Sequence, residues 1–547
     1  MLISLRGTGR SLGSTHRWAQ GAGRMALAMA GPLLAAGCGD GKADGGEMVN
    51  GIRHVILITL DTTRADHLGC YGSPSVKTPA LDQLAREGVL FEACQSAAAT
   101  TLSSHVSMMT GLYPNQHGVP RNGFTVHDTN LTLAEALDDQ GFWCAGFLGS
   151  AALTKRTGLD QGFDHWDEGL DLPIEPGGND QLQRRADALT DAILKHVEET
   201  LAQPDAGDAR LFLFAQYFDP HAPYAPPAEA RQRYGATLAA GGFGEIEQAV
   251  VEQQQRATGT TQGGQQGVIS AGLSPELLRG ATGAPTEMGL ELARLYAGEI
   301  TFTDQEIGRL LLGLKSLGVL DESLVIVTAD HGETRWEHAN AWNHGLWVYQ
   351  TDVHVPLIMR LPAATEESSS GAPRRKGGAV TTPVSGVDIM PTVLDLIGMD
   401  VRPDGSGFQG RSLVPGLEGE PLPALPVFSE ATQPGPSLER PRAGQGPLPW
   451  LGARKPCAVR LGDWKLVAAP YLQIEELFQL AQDPGERHDR MASAHTGGDA
   501  EAAKALANLK EVLQQWRSAA APKQSNFDKS QASGLAGLGY SEAALPK

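Results

Sequence analysis

The run His54-Val55-Ile56-Leu57-Ile58-Thr59-Leu60, which stops at Asp61, constrains the fold more than any other feature. An uninterrupted β-branched and leucine stretch of this length is a strand covered on both faces, as in the interior of a parallel sheet. Shorter apolar runs recur at residues 211–214, 324–328 and 355–359, and helical patterns at 79–87, 133–139 and 304–317 lie between them. Strands alternating with helices predict a doubly wound, mostly parallel α/β sheet. In such sheets the polar residues just past the carboxyl ends of the strands line the ligand crevice.

At 547 residues the chain is long for one domain. The reading is residues 51–424 as the catalytic domain, interrupted by a Gln- and Gly-rich, low-complexity insertion at 235–286 and a loop at 368–378. A C-terminal subdomain follows at 425–520, with a small antiparallel sheet and a closing helix at 501–516, and then a disordered tail at 521–547.

Residues 1–38 combine Arg6, Arg10, Arg17 and Arg24 with an apolar run at 25–36 that is too short for a permanent membrane span. This reads as an export signal. It ends in Leu34-Ala35-Ala36-Gly37-Cys38, which resembles a bacterial lipobox; an ordinary cleavable signal with an incidental cysteine is the alternative. Residues 39–50 are then a linker from a lipid anchor on Cys38, the one expected membrane contact, and the location is the periplasm or the cell surface. Cys70, Cys94, Cys144 and Cys457 match no zinc spacing and are read as buried thiols or at most a disulfide or two.

A formal charge of −19 argues against a nucleic-acid partner, because backbone phosphates are repelled over most of such a surface. An anionic ligand has to be attracted locally.

Four clusters carry possible chemistry. Asp61 follows the first strand, within Asp61-Thr62-Thr63-Arg64; alone, it could as well cap the next helix. Asp330-His331-Gly332-Glu333 follows another buried strand, and an adjacent carboxylate and imidazole suit one cation. Thr100-Thr101-Leu102-Ser103-Ser104-His105 opens a helix whose N-terminus favours anions, although a simple Ser/Thr cap is the plainer reading. Asp219-Pro220-His221-Ala222-Pro223 presents a proline-bounded histidine. His338 and His344 trail the Asp-His pair.

In this order, and together with segments such as Thr110-Gly111-Leu112-Tyr113-Pro114 and Gly462-Asp463-Trp464-Lys465-Leu466, the clusters resemble the sulfatase family of the alkaline phosphatase superfamily. The resemblance implies that Asp61, Asp330, His331 and Thr101 bind one divalent metal, and that Thr101 is the nucleophile. It further implies that Asn122 and His344 bind the substrate, that His105 helps them stabilise the charged equatorial oxygens and that His221 protonates the leaving group. The sequence also departs from the pattern. Sulfatases proper convert a Cys or Ser to formylglycine, which a threonine cannot yield; here the motif's Arg is His105, its Pro is Ser103, and the second Asp of the usual pair is Thr62. The remaining ligands favour zinc or manganese, with calcium possible. The resemblance therefore implies hydrolysis of a sulfate, phosphate or phosphonate ester. The alternatives are an envelope phospho-headgroup transferase working through phosphothreonine, and an inactive binding protein.

Overall fold

A computed structural model describes residues 51–170, 183–203, 208–237, 284–338, 344–362, 377–399, 407–432, 455–470, 472–523 and 525. The expected signal with Cys38, the linker, and most of the 235–286 insertion, the 368–378 loop and the 521–547 tail lie outside the described residues.

The strands are β1 (His54–Leu60), β2 (Val89–Phe91), β3 (Cys94–Gln95), β4 (Phe142–Phe147), β5 (His165–Asp167), β6 (Arg210–Tyr217) and β7 (Ser323–Ala329). They continue with β8 (Leu357–Arg360), β9 (Gly378–Val380), β10 (Val384–Ser385), β11 (Val427–Glu430), β12 (Cys457–Leu461), β13 (Trp464–Ala469) and β14 (Ile474–Gln479). The large sheet runs β5-β4-β6-β1-β7-β8-β2-β9. β1 lies centrally, parallel to both β6 and β7, and all of its residues are buried, as its unbroken apolar run requires. β8 is antiparallel to β7 and β2, which makes the sheet mixed at that side.

The longer helices are α1 (Pro79–Glu87), α2 (Thr101–Thr110), α3 (Ala186–Leu201), α4 (Glu287–Ser316), α5 (Ile389–Leu396) and α6 (Ala500–Ser518). α4 begins well before the predicted 304, capped by the Thr286 hydroxyl, which accepts from Gly289 N. Its first half shows no clean stripe because most of residues 295–304 are buried all round. Gly313 permits the close approach of α3: a Cβ there would sit 2.4 Å from Leu194.

β11-β12-β13-β14 form the predicted antiparallel sheet, and α6 closes it. Their shared core includes Tyr113, Phe428 and Trp516; the Phe428 and Trp516 rings stack at 4.7 Å. Ala98 and Glu430 form a parallel bridge, so this sheet abuts the segment that leads into α2. Cys70, Cys94, Cys144 and Cys457 are free thiols. Among the described residues no helix is long and apolar enough to cross a membrane.

Candidate active site

Sheet register creates the first part of the site. Leu60 pairs with Ala329, so the residues that follow, Asp61 and Asp330, emerge side by side where two parallel strands end. His331 comes next, and the three side chains are fully buried with one ligand atom each lying within 4.8 Å of the others. His331 Nε2 stands 3.4 Å from Asp330 Oδ2 and 3.9 Å from Asp61 Oδ1. Both of these carboxylate oxygens are buried without a hydrogen-bond partner.

The supporting shell fixes these groups. His331 Nδ1 donates to Gly332 O at 2.9 Å, which leaves Nε2 as the lone-pair nitrogen facing the carboxylates. Gln216 Nε2 donates to Asp61 Oδ2 at 3.1 Å, and Ser104 Oγ and Ser96 Oγ both donate to the Asp330 carbonyl. Burial, reinforced for Asp61 by neighbouring Asp330, pushes both carboxyls above their ordinary range, and burial pushes His331 down to about 3. Two acids that lack only a positive charge, beside a neutral imidazole, form a donor set that fits a divalent cation. Asp61, Asp330 and His331 would hold it, with Thr101 at its edge.

Thr101 opens α2, and its Oγ1 lies 3.5 Å from His331 Nε2. The nearby hydroxyls point elsewhere: Ser103 Oγ donates to Val119 O at 2.6 Å and Ser104 Oγ to Asp330 O at 2.7 Å. Asn122 Oδ1 accepts from Leu102 N at 2.7 Å, capping the helix, while its buried Nδ2 has no hydrogen-bond partner. That places an unused amide donor next to Thr101. His105 is committed on both sides, with Nδ1 2.7 Å from Thr101 O and Nε2 2.9 Å from the Thr59 hydroxyl. With both nitrogens engaged, the ring has none left for an ester oxygen, contrary to the expected role, and it supports the turn that carries Thr101.

The histidines of the later clusters converge on the same place. The His344 ring is 4.5 Å from that of His331 and 5.1 Å from that of His221, and His221 stacks on Phe218. Burial disfavours the charged form of both: His344 is pushed down to about 4, and His221 well below its usual value. His344 Nδ1 and Glu333 Oε2 share a hydrogen bond at 3.1 Å. Burial raises the Glu333 carboxyl to about 8, and its Oε1 is unpaired. His338 instead stacks on Tyr349 at 3.8 Å.

Gln216, Glu333 and Thr62 are site residues to which sequence reasoning assigned no role. Thr62 adopts φ 51°, a left-handed conformation that strains a β-branched residue. Its N–H donates to Asp330 Oδ1 at 3.2 Å and its hydroxyl to Pro220 O at 2.8 Å, tying the Asp330 carboxylate to the loop of His221. The only sequence signal for Gln216 was a polar residue near the end of an otherwise apolar strand.

Comparison with known proteins agrees with this geometry. Residues 53–399 match the profile of the Sulfatase family. The chain is 24% identical over 412 residues to an ulvan-active sulfatase of Formosa agariphila, covering 73% of this chain and 69% of that protein. It shares its fold with BT4656, solved in complex with its substrate D-glucosamine-2-N,6-O-disulfate, at a TM-score of 0.60 and 21% identity over 86% of this chain and 98% of that one. It is likewise similar to the phosphonate monoester hydrolase of Agrobacterium radiobacter, at a TM-score of 0.59 and 24% identity over 84% and 95% of the two chains. With the family's fold, its profile and a metal-ready cluster at the ends of the central strands, the chain belongs to the sulfatase family and is an ester hydrolase of the alkaline phosphatase superfamily.

Proposed function

We propose that this hydrolase cleaves phosphate or phosphonate esters with Thr101 as its nucleophile. The observation that carries the reading is the Thr101 hydroxyl, 3.5 Å from His331 Nε2 beside two unpaired carboxylate oxygens, while Ser103 and Ser104 are tied to backbone carbonyls. A threonine cannot become formylglycine, so the attacking atom is its own oxygen. A divalent ion bound by Asp61, Asp330 and His331 supplies Lewis acidity, lowering the pKa of a hydroxyl it contacts and offsetting charge on the ester oxygens. Two carboxylates with one imidazole favour zinc or manganese over calcium.

Thr101 Oγ loses its proton to solvent and attacks phosphorus. The bond to the leaving oxygen breaks, and that oxygen takes a proton from His221. Nδ1 of His221 lies 2.5 Å from the Ala222 carbonyl and donates to it, which leaves Nε2 as the atom that exchanges protons. An anionic ester bound beside His221 and His344 favours their protonated forms, against the burial that disfavours them. Asn122 Nδ2 and His344 then hold the non-bridging oxygens, and His105 keeps the Thr101 turn in place. Water subsequently attacks the threonyl ester and regenerates Thr101. Export as a Cys38-linked lipoprotein belongs to the same reading, and radiolabelled palmitate incorporation lost in Cys38→Ser tests it.

The decisive test compares p-nitrophenyl sulfate, phosphate, phenylphosphonate and bis-p-nitrophenyl phosphate as substrates of protein loaded with zinc or manganese, alongside Thr101→Ala. Phosphorus-ester turnover lost in Thr101→Ala is expected. Sulfate turnover that survives in the variant would overturn the reading.

A further inference from the structure

The loop that carries Asn122 is held from inside by α2, where Ser103 and Ser107 bond to Val119 O and His117 Nε2. Its outer side is covered by a distant part of the chain. After α6, Ala521 N donates to Asn115 O and Lys523 N to Gln116 O, both at 3.0 Å, a short stretch of main-chain pairing. Asn115 Nδ2 and Gln116 Nε2 return bonds to Trp516 O and Ala519 O. Further along, Lys523 Nζ donates to Thr129 O at 2.5 Å and Ser525 Oγ to Thr125 O at 2.6 Å, so both sides of the Asn122 turn are pinned. Lys455 Nζ, fully buried, donates to Pro120 O at 2.6 Å from the lead-in to β12. The approach is close: at Gly118, with φ +86°, a Cβ would come within 2.0 Å of Lys523 O.

We propose that residues 519–523, together with Ser525, are a strap that positions Asn122 over the Thr101 end of α2, making the C-terminal segment part of the catalytic apparatus without touching substrate. Asn122 must offer Nδ2 to an ester oxygen while Oδ1 stays on Leu102 N, and its backbone is fixed between Pro120, gripped by Lys455, and Thr125 and Thr129, gripped by the strap. Release of one side lets the carboxamide drift, and misplacement of a binding group by about 1 Å lowers turnover by up to roughly a hundredfold. The inference rests on the reading of Asn122 as a substrate-binding residue.

The test uses the full-length, metal-loaded chain with p-nitrophenyl phenylphosphonate. Ala521→Pro/Lys523→Pro removes both strap N–H donors, and Lys523→Met, which loses only the ammonium contact, serves as the milder variant. Each is measured alone and combined with Asn122→Ala, with metal content read by mass spectrometry. The proposal expects kcat/KM to fall roughly tenfold or more in the proline variant, with bound metal unchanged, and to fall no further when the proline changes are added to Asn122→Ala. An equal additional loss in the Asn122→Ala background overturns it, as does a strap variant, proline or Met, that retains full kcat/KM. An Asn122→Ala protein with undiminished kcat/KM would instead sink the role of Asn122 itself, and the strap's role with it.

Discussion

Gln216 Nε2 donates to Asp61 Oδ2 at 3.1 Å, joining two buried side chains 155 residues apart at the ends of β6 and β1. The bond leaves Asp61 Oδ1 as the oxygen facing His331. Groups that orient a ligand in this way typically carry ten- to a hundredfold in metal affinity. Gln216→Leu is therefore expected to weaken zinc binding by about that factor with little change in fold. Competition with a chromogenic chelator measures it, and unchanged affinity would remove Gln216 from the site.

Thr101→Ser keeps a hydroxyl where Thr101→Ala does not. The serine variant should retain measurable turnover, and the alanine variant should lose at least roughly a thousandfold in kcat. Acid-quenched wild-type protein incubated with a phosphorus ester should carry the phosphoryl or phosphonyl adduct on the peptide containing Thr101. Peptide mass spectrometry that locates the adduct elsewhere would reassign the nucleophile.

Two histidines outside the cluster of Asp61, Asp330 and His331 set a pH dependence of stability. His54 Nδ1 accepts from Leu211 N, and His117 Nδ1 accepts from Val119 N, so each ring is held neutral at that nitrogen. Burial, aided by nearby cations, pushes both from 6.5 down to about 3. Because the folded value lies below the unfolded one, each contribution is fully present above pH 6.5 and is lost as pH falls from there towards 3. The slope reaches about 1.4 kcal/mol per pH unit for each ring. Urea unfolding of His117→Asn between pH 7.5 and 4.5 should show lower stability at the top of the range and a shallower decline. A decline as steep as that of the wild type would refute the assignment.

Lys465 and Glu486 form a buried ion pair at 2.7 Å beneath the C-terminal sheet. Removing one partner leaves an unpaired buried charge, so Lys465→Met should cost about 3–5 kcal/mol. Replacing both, with Lys465→Met and Glu486→Met, should recover much of that loss. Denaturant midpoints of the two variants decide it: a double variant as unstable as the single would show that the pair is held for another reason.

Much of this protein is determined within short stretches of sequence. A strand covered on both faces needs an unbroken apolar run, so the first polar residue after it marks both the strand's end and the crevice; Asp61, Asp330 and His331 were legible for that reason. The run at 355–359 likewise announced β8, but its antiparallel direction did not follow from composition, since a buried strand reads the same either way. The order of the clusters along the chain pointed to Thr101, Asn122, His221 and His344. Only tertiary structure decided how they meet. Strand register sets Asp61 beside Asp330, and side-chain packing ties both nitrogens of His105 to Thr101 O and Thr59. It also pairs Glu333 with His344, Gln216 with Asp61, and Ala521, Lys523 and Ser525 with the Asn122 loop. These last contacts join residues from 11 to 407 positions apart. They leave no periodic trace because a single polar residue in an apolar strand, or a lysine in a tail, acquires its partner only when the sheet and the C-terminal helix have closed around it.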